Sequence, residues 1–250
     1  MPAVPAGSHP FFRALARAGS GETPLSPEDE RLLAGREAFA AACLAEGWMK
    51  AAIFLHDPAA DLNGLPDWFA YGLAQSTNFL EGPAAALRLL TRRRSTPLLT
   101  CLEGELQLAT GNVADAIKLL TPLSAGTDDC GVRAASLLAL ERLGAKAPAE
   151  AERLVNANAR LRDSETGREI LGQAAVARGD LKTAAVIFQS LRDISPVAKE
   201  FLAGQAFAAG DFAEAKRLMA ELASQQPDEP RHAANFKAVE AVQKAKAEKK

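Results

Sequence analysis

The stretch LGQAAVARGDLKTAAVIFQSL, residues 171–191, carries the clearest structural pattern in this chain. It has the pattern of two helices joined at Gly179, because glycine suits the left-handed conformation that ends a helix and the aspartate after it can cap the next one. Ala184, Phe188 and Leu191 follow the glycine by 5, 9 and 12 residues. These positions share one stripe of a helix with 3.6 residues per turn. The stretch therefore predicts a helical hairpin with a buried seam on its second helix.

The same spacing occurs around two other glycines, Gly111 and Gly210. In each copy a small residue stands seven positions before the glycine, where it lets the two helices approach closely. An alanine, a large apolar residue and a leucine follow at the 5, 9 and 12 positions. The residues, copy by copy, are Gly104, Ala116, Leu120 and Leu123; Gly172, Ala184, Phe188 and Leu191; and Ala203, Ala215, Met219 and Leu222.

Turn glycines recur along most of the chain at intervals of 35, 29, 33, 35 and 31 residues. A period of roughly 30 to 35 residues between helix-length segments is typical of a solenoid, in which each hairpin buries its apolar face against its neighbours. We therefore predict an all-α fold, an α-solenoid of about six antiparallel hairpins with a C-terminal cap helix. The glycines are Gly47, Gly82, Gly111, Gly144, Gly179 and Gly210.

These segments resemble tetratricopeptide repeats, whose pattern is W-x2-L-G-x2-Y, then A-x3-F, then P. The resemblance is best over residues 97–227 and implies a right-handed superhelix of helix pairs. The tyrosine position departs from the family pattern, since it holds glutamine or alanine, and Pro122 and Pro148 interrupt or shift two helices. The matching residues are Leu171-Gly172, Ala184, Phe188 and Pro196; Leu202, Ala215 and Pro227; and Trp68-x-x-Tyr71-Gly72 in an earlier unit.

Three regions follow from these patterns: a flexible N-terminal arm over 1–26, the repeat domain over 27–228, and a cap helix with a basic tail over 229–250. The cap helix places Ala234, Ala238 and Val242 on one stripe, and it ends in Lys244, Lys246, Lys249 and Lys250. The arm lacks the charged start and unbroken apolar run of a secretory signal. Three widely spaced cysteines, Cys43, Cys101 and Cys130, favour buried thiols. We expect a cytoplasmic protein, from an alanine-rich and bacterial proteome, without a membrane span.

Charge and motif content argue against nucleic-acid binding and catalysis. The formal net charge is −2 and the pI is about 6.0, which is no basic signature. The chain lacks a phosphate-binding loop, a nucleophile elbow and a His-Glu-x-x-His helix. His9, His56 and His232 stand apart from any metal-ligand spacing. We predict no enzyme, no cofactor and no metal.

Two other features allow a functional or a structural interpretation. Arg92, Arg93 and Arg94 could grip an acidic partner, or they could close a helix at the negative end of its dipole. Phe11 and Phe12 could dock another protein, or they could fold back over the first hairpin.

The resemblance also implies a partner groove along the exposed side of the first helix of each pair. Aliphatic and acidic residues mix there, which favours a basic or amphipathic helix or peptide as the partner. The same glutamates could instead be only a solvated face. The groove positions are Leu98, Cys101, Glu105 and Leu108; Thr166, Glu169, Gln173 and Val176; and Val197, Glu200, Gly204 and Phe207.

The function expected from the sequence is that of a non-catalytic adaptor or assembly scaffold that binds a protein or peptide. A peptide-sensing or partner-sensing regulator is the alternative, in which ligand entry changes the superhelix. An enzyme with an unfamiliar site is the third.

Overall fold

The computed structural model describes Ala14, residues 67–91 and residues 93–247, with side chains described as far as Lys244. Over these residues the protein is entirely helical, without a strand. The prediction of an all-α fold is therefore confirmed. Two compact units divide the chain, residues 1–122 and residues 123–250.

The described part of the first unit consists of two hairpins. They are α1 (Asp67–Glu81) with α2 (Pro83–Leu90), and α3 (Pro97–Ala109) with α4 (Val113–Leu120). Helix α3 packs against both helices of the preceding hairpin. Small and aliphatic residues fill the core between them, namely Ala70, Ala74, Ala86, Leu90, Leu99, Leu102 and Leu106.

The described part of the second unit consists of three hairpins, one short helix and a single helix after the last hairpin. The hairpins are α5 (Asp129–Gly144) with α6 (Pro148–Ala157), α8 (Glu165–Ala177) with α9 (Leu181–Ser190), and α10 (Pro196–Ala208) with α11 (Phe212–Gln225). Helix α7 (Ala159–Arg162) follows α6, and α12 (Pro230–Ala247) follows α11. Each hairpin packs against the next one along the chain. This neighbour-on-neighbour packing is the arrangement of a helical repeat.

The small residue seven positions before the glycine packs against the large apolar residue nine positions after it. A Cβ atom built on Gly104 would lie 2.6 Å from the Leu120 side chain, and one built on Gly172 would lie 2.6 Å from Phe188 Cε1. In the last hairpin Ala203 shares a cluster with Met219. The small and the large residue of the sequence pattern thus pack against each other between the two helices of each hairpin.

The turn glycines of the three matching copies, Gly111, Gly179 and Gly210, take the positive φ that the sequence predicted. Gly82 also has a positive φ, but its ψ of 169° is extended and it stands at the start of α2. Gly144 is the last residue of α5, and Lys146, two residues later, adopts a positive φ of 60°. The turn between α5 and α6 therefore lies two residues beyond the glycine. Gly47 lies outside the described residues.

Polar side chains and prolines set most helix starts. Asp180 Oδ1 accepts a hydrogen bond from the Thr183 amide, and Asp211 caps α11 in the same way. Asn112 does not cap α4, because its amide donates to Gln107 Oε1 and Thr110 Oγ1. Proline occupies the first turn where its missing N–H costs nothing, and it does so in α2, α3, α6 and α10.

The hairpin around Gly111 departs from the pattern at its second helix. Helix α4 has only eight residues and ends at Leu120, two residues before Pro122. The predicted seam residue Leu123 therefore lies beyond the helix and is half-buried. The proline explains the early end because it has no N–H to continue the helical hydrogen-bond ladder, although Thr121 before it keeps an α-helical φ of −57° and ψ of −46°.

Helix α7, which lies between two hairpins of the second unit, was not predicted from the sequence. Asn158 begins this helix, and its Oδ1 accepts from the Leu161 amide. Its buried amide also donates to the Ser124 carbonyl at 3.0 Å and to the Gly126 carbonyl at 2.9 Å. One asparagine thus joins the start of α7 to the loop before α5.

The final helix presents a different face from the predicted one. Ala234 and Ala238 are exposed, whereas His232 and Val239 are buried and Phe236 packs on the cluster of α11. Val239 and Phe236 are larger than the two alanines, so their burial removes more apolar surface from water and favours this orientation of α12.

Helix α12 also differs from the first helices of the hairpins at its eighth residue. That residue is Gly104 in α3, Gly172 in α8 and Ala203 in α10, but in α12 it is the exposed Lys237. Helix α11 packs on α12, and Lys216 of α11 pairs with Glu240 at 2.6 Å on the side of α12 where Lys237 lies.

Arg93 has a structural role in the first unit. Its nearly buried guanidinium donates to Asp67 Oδ1 at 2.5 Å, which ties the segment before α3 to the start of α1. Arg94 is exposed. The other predictions for Phe11, Phe12, His9, His56, Cys43 and Arg92 fall on residues outside the described ones.

Candidate functional site

An open cavity of about 320 Å³ lies between α8, α9 and α10 in the second unit. We call it the α8–α10 groove. Its walls are apolar, with one amide and one carboxylate. The lining residues are Gln173, Val176, Ala177, Phe188, Val197, Glu200 and Phe201. Four of them, Gln173, Val176, Val197 and Glu200, are among the predicted groove positions.

The helical repeat brings these side chains together. Gln173 and Val176 lie three residues apart on α8, and Val197 and Glu200 lie three residues apart on α10, so each pair shares a helix face. The valines are 38% and 37% exposed. The structure thus leaves apolar side chains open to water along the facing sides of two successive first helices.

The floor of the groove is aromatic and closely packed. Phe188 is fully buried, and its ring lies 4.9 Å from the ring of Phe201 at an angle of 45°. The missing side chain of Gly172 makes room for Phe188. Because the floor is held by core packing, the groove exists before any ligand enters, and a pre-formed site costs less ordering on binding.

Glu200 is the only charged residue in the groove lining. Its side chain is about one-third exposed, and Oε2 lies 3.6 Å from Arg231 Nη2 of α12. Arg231 also lies 3.6 Å from Glu229 through Nε. The groove therefore offers one carboxylate, which shares a loosely held arginine with a second carboxylate.

Glu169 has a role within the fold that the sequence did not suggest. Its Oε2 accepts from Ser195 Oγ at 2.6 Å, and that hydroxyl in turn accepts from the Ala198 amide at the start of α10. Gln173 Nε2 lies 3.4 Å from the other Glu169 oxygen. Glu169 thus links α8 to the cap of α10 and does not line the cavity.

The remaining predicted positions are not brought into this groove. Thr166 is exposed, and Phe207 is 38% exposed with its ring 5.4 Å from that of Phe212. Gly204 is exposed, with open space where a side chain would stand. In the first unit, Leu98, Glu105 and Leu108 are half-buried.

Cys101 is a correction to the predicted groove. It is only 2% exposed, so it is a core residue of α3. The equivalent positions, fifth in their helices, are Glu169 in α8 and Glu200 in α10. A thiol there is small and apolar enough to be buried, whereas the two glutamates must keep a polar partner or water.

Sequence reasoning missed three lining residues, Ala177, Phe188 and Phe201. Phe188 was assigned to the core, which is correct, but one side of its ring also faces the groove. Phe201 follows Glu200 directly, and aromatic residues within an otherwise alanine-rich helix were the available signal.

The described residues give no sign of a chemical centre. Within them no three His, Cys, Asp or Glu side chains come together in a way that could hold a metal ion. His232 is buried, and its Nε2 lies 2.8 Å from Gln226 Oε1. Burial and the nearby Asp128 and Asp129 raise the pKa of the Cys130 thiol, which lowers its reactivity as a nucleophile.

None of the described helices combines the length and the apolar character needed to cross a membrane. No protein-family model matches the chain, and no curated protein matches its sequence. Function is therefore inferred from the geometry of the α8–α10 groove.

Proposed function

We propose that the protein is a non-catalytic adaptor or assembly scaffold of the tetratricopeptide-like kind, and that it holds a helix or peptide of a partner protein in the α8–α10 groove. The observation that carries this proposal is the exposure of Val176 and Val197 over an aromatic floor. Apolar side chains that stay open to water around a pre-formed cavity are typical of binding surfaces.

The size of the groove favours a side chain of a larger molecule over a free metabolite. A volume of about 320 Å³ is at the low end of small-molecule pockets, which bury most of their ligand. An open cavity of that size suits one or two anchoring side chains of a peptide, with the rest of the peptide lying along α8 and α10. Repeat proteins use their extended surfaces in this way, and the cytoplasm is the proposed location.

Site-specific photo-crosslinking tests the proposal. A photoreactive residue replaces Val176 or Val197 in the groove, and in the control it replaces Val186, a valine of α9 that is 74% exposed outside the groove. We expect one and the same protein to be captured from cells at both groove positions and not at the control position. Equal capture at Val186 would contradict a groove-specific partner.

The captured partner is then purified and titrated against two variants of equal bulk. Ala177→Trp fills the groove from its exposed wall, and Val186→Trp adds the same side chain elsewhere. We expect affinity to fall by about tenfold or more for Ala177→Trp, because loss of a buried anchor costs on the order of 2 kcal/mol. Unchanged affinity for Ala177→Trp, with circular dichroism preserved, would overturn the proposed site.

A further inference from the structure

We infer that the α8–α10 groove selects a peptide that carries a lysine or arginine about one helical turn from its apolar anchor, and that Arg231 occupies the cation's place until the peptide arrives. This inference rests on the proposed function and adds the charge of the partner and a residue that tunes its affinity.

The carboxylate of Glu200 gives the first argument. It is the single charge among the lining residues, and it follows Val197 by one turn of α10 and adjoins Phe201. A ligand side chain in the apolar cavity would therefore have a negative charge roughly 5 to 6 Å away, the spacing of neighbours on a helix face. A cationic group at that spacing on the ligand would satisfy the carboxylate.

The geometry of Arg231 gives the second argument. Its side chain is 58% exposed, and its separations from the Glu200 and Glu229 carboxylates are both 3.6 Å. These are long, solvated ion pairs, which hold little energy. Arg231 can stay paired with Glu229 when a cation of the ligand pairs with Glu200. The ligand therefore displaces Arg231 from Glu200 at a small cost in free energy.

The second glutamate near this face does not compete for the ligand's cation. Glu169 already accepts from Ser195 at 2.6 Å and from Gln173 at 3.4 Å. The acidic character that a ligand meets in the cavity therefore comes from Glu200, and one conservative change there removes it.

Selection from a displayed library of random peptides tests the inference, with the wild-type protein as bait and Ala177→Trp as counter-bait. We expect peptides that depend on the open groove to be enriched in Lys or Arg near Leu or Phe. Enrichment of Asp or Glu there would overturn the inference, because Arg231 would then be the recognised charge.

A double-mutant cycle on one enriched peptide tests the role of Arg231. Removing the competing guanidinium by Arg231→Ala should tighten binding by about two- to fivefold at low salt, and Glu200→Gln should weaken it by about tenfold. In the Glu200→Gln background, Arg231→Ala should have no effect. If Arg231→Ala still tightened binding in the Glu200→Gln variant, the proposed displacement of Arg231 would be wrong, because the gain would come from the change in net charge alone.

A matched control calibrates that effect of net charge. Arg217 lies on α11, where it pairs with Glu214 and Glu221, and Arg217→Ala changes the net charge by the same amount without touching the groove. We expect affinity for the enriched peptide to stay within about twofold. Groove-dependent peptides with no charge preference would defeat this inference and leave the proposed function standing, whereas the absence of any groove-dependent peptide would count against both.

Discussion

The hairpins α8–α9 and α10–α11 place different pairs of residues where their two helices approach each other most closely. The first places Phe188 over Gly172, and the second places Met219 in a cluster with Ala203. A larger side chain on the second helix thus comes with a smaller residue on the first. In these two hairpins the residues at the crossing therefore add to a similar volume although their types differ, as expected for a close-packed interior.

Truncation of the larger partner should have the largest effect. Phe188→Ala should lower the free energy of unfolding by about 3 to 5 kcal/mol, because the ring is buried and also packs on Phe201. Met219→Ala should cost less, about 2 to 4 kcal/mol. Urea denaturation of both variants measures this, and Val186→Ala on the exposed side of α9 serves as the control, within about 0.5 kcal/mol of wild type. A smaller loss for Phe188 than for Met219 would contradict the volume argument.

Exchange of the pairs tests the volume argument directly. Gly172→Ala should destabilise by about 1 to 3 kcal/mol, because the added Cβ meets Phe188 at 2.6 Å. Adding Phe188→Met to that variant reproduces the pair of the next hairpin, and the combined loss should be smaller than the sum of the single losses. Chemical denaturation of the four proteins gives the coupling energy. Strict additivity would mean that the two sites do not share the crossing.

A comparison of two turns has the next largest expected effect. Gly179 has a φ of +77°, whereas Gly144 lies within a helix. Gly179→Val should cost on the order of 1 to 2 kcal/mol, and Gly179→Asn should be nearly tolerated. Gly144→Val should stay within about 0.5 kcal/mol, since open space surrounds that position. Thermal melts of the three variants check this, and equal losses at both glycines would show that conformation does not explain the difference.

The smallest expected effect is a difference in acid dependence between the N-cap residues of α9 and α4. The Thr183 side chain, and then its amide, hold the pKa of Asp180 below its usual range. A lowered folded-state pKa means that the ionised cap stabilises α9 above the ordinary aspartate pKa of about 4, and that this contribution disappears as the pH falls through the lowered pKa of the folded state. Melting temperatures over that range should fall slightly less for Asp180→Asn, which caps without titrating. Asn112, which does not cap α4, provides the contrast: Asn112→Ala should leave the acid dependence unchanged.

The sequence predicted most of the fold because its signals are local. The glycine at the turn, the small residue before it and the apolar stripe after it lie within about 20 residues of one another, and each has a steric reason. It did not predict α7, because that helix has only four residues and its first residue, Asn158, is also held by carbonyls 32 and 34 residues away. It did not predict the turn at Lys146 either, since a lysine at positive φ has no pattern to reveal it.

The groove was predictable only in part, for a related reason. The spacing placed Val176, Val197 and Glu200 on exposed helix faces, and periodicity alone fixes such positions. The spacing could not show that Glu169 accepts a hydrogen bond from Ser195, or that Cys101 is buried. Those outcomes depend on which neighbouring helix covers each face, and that is a tertiary property.

The lysine at the eighth position of α12 keeps this part of the surface polar. The equivalent residues of α3, α8 and α10 are small and carry a covering helix, whereas Lys237 is exposed beside Lys244 and beside Glu240, which pairs with Lys216 of α11. An exposed apolar residue at this position would add adhesive surface, and the charge of Lys237 avoids it. For engineering, the same residue marks where a designed hairpin could be grafted: Lys237→Ala with a new second helix would lengthen the array, and Lys237→Leu without one would promote self-association.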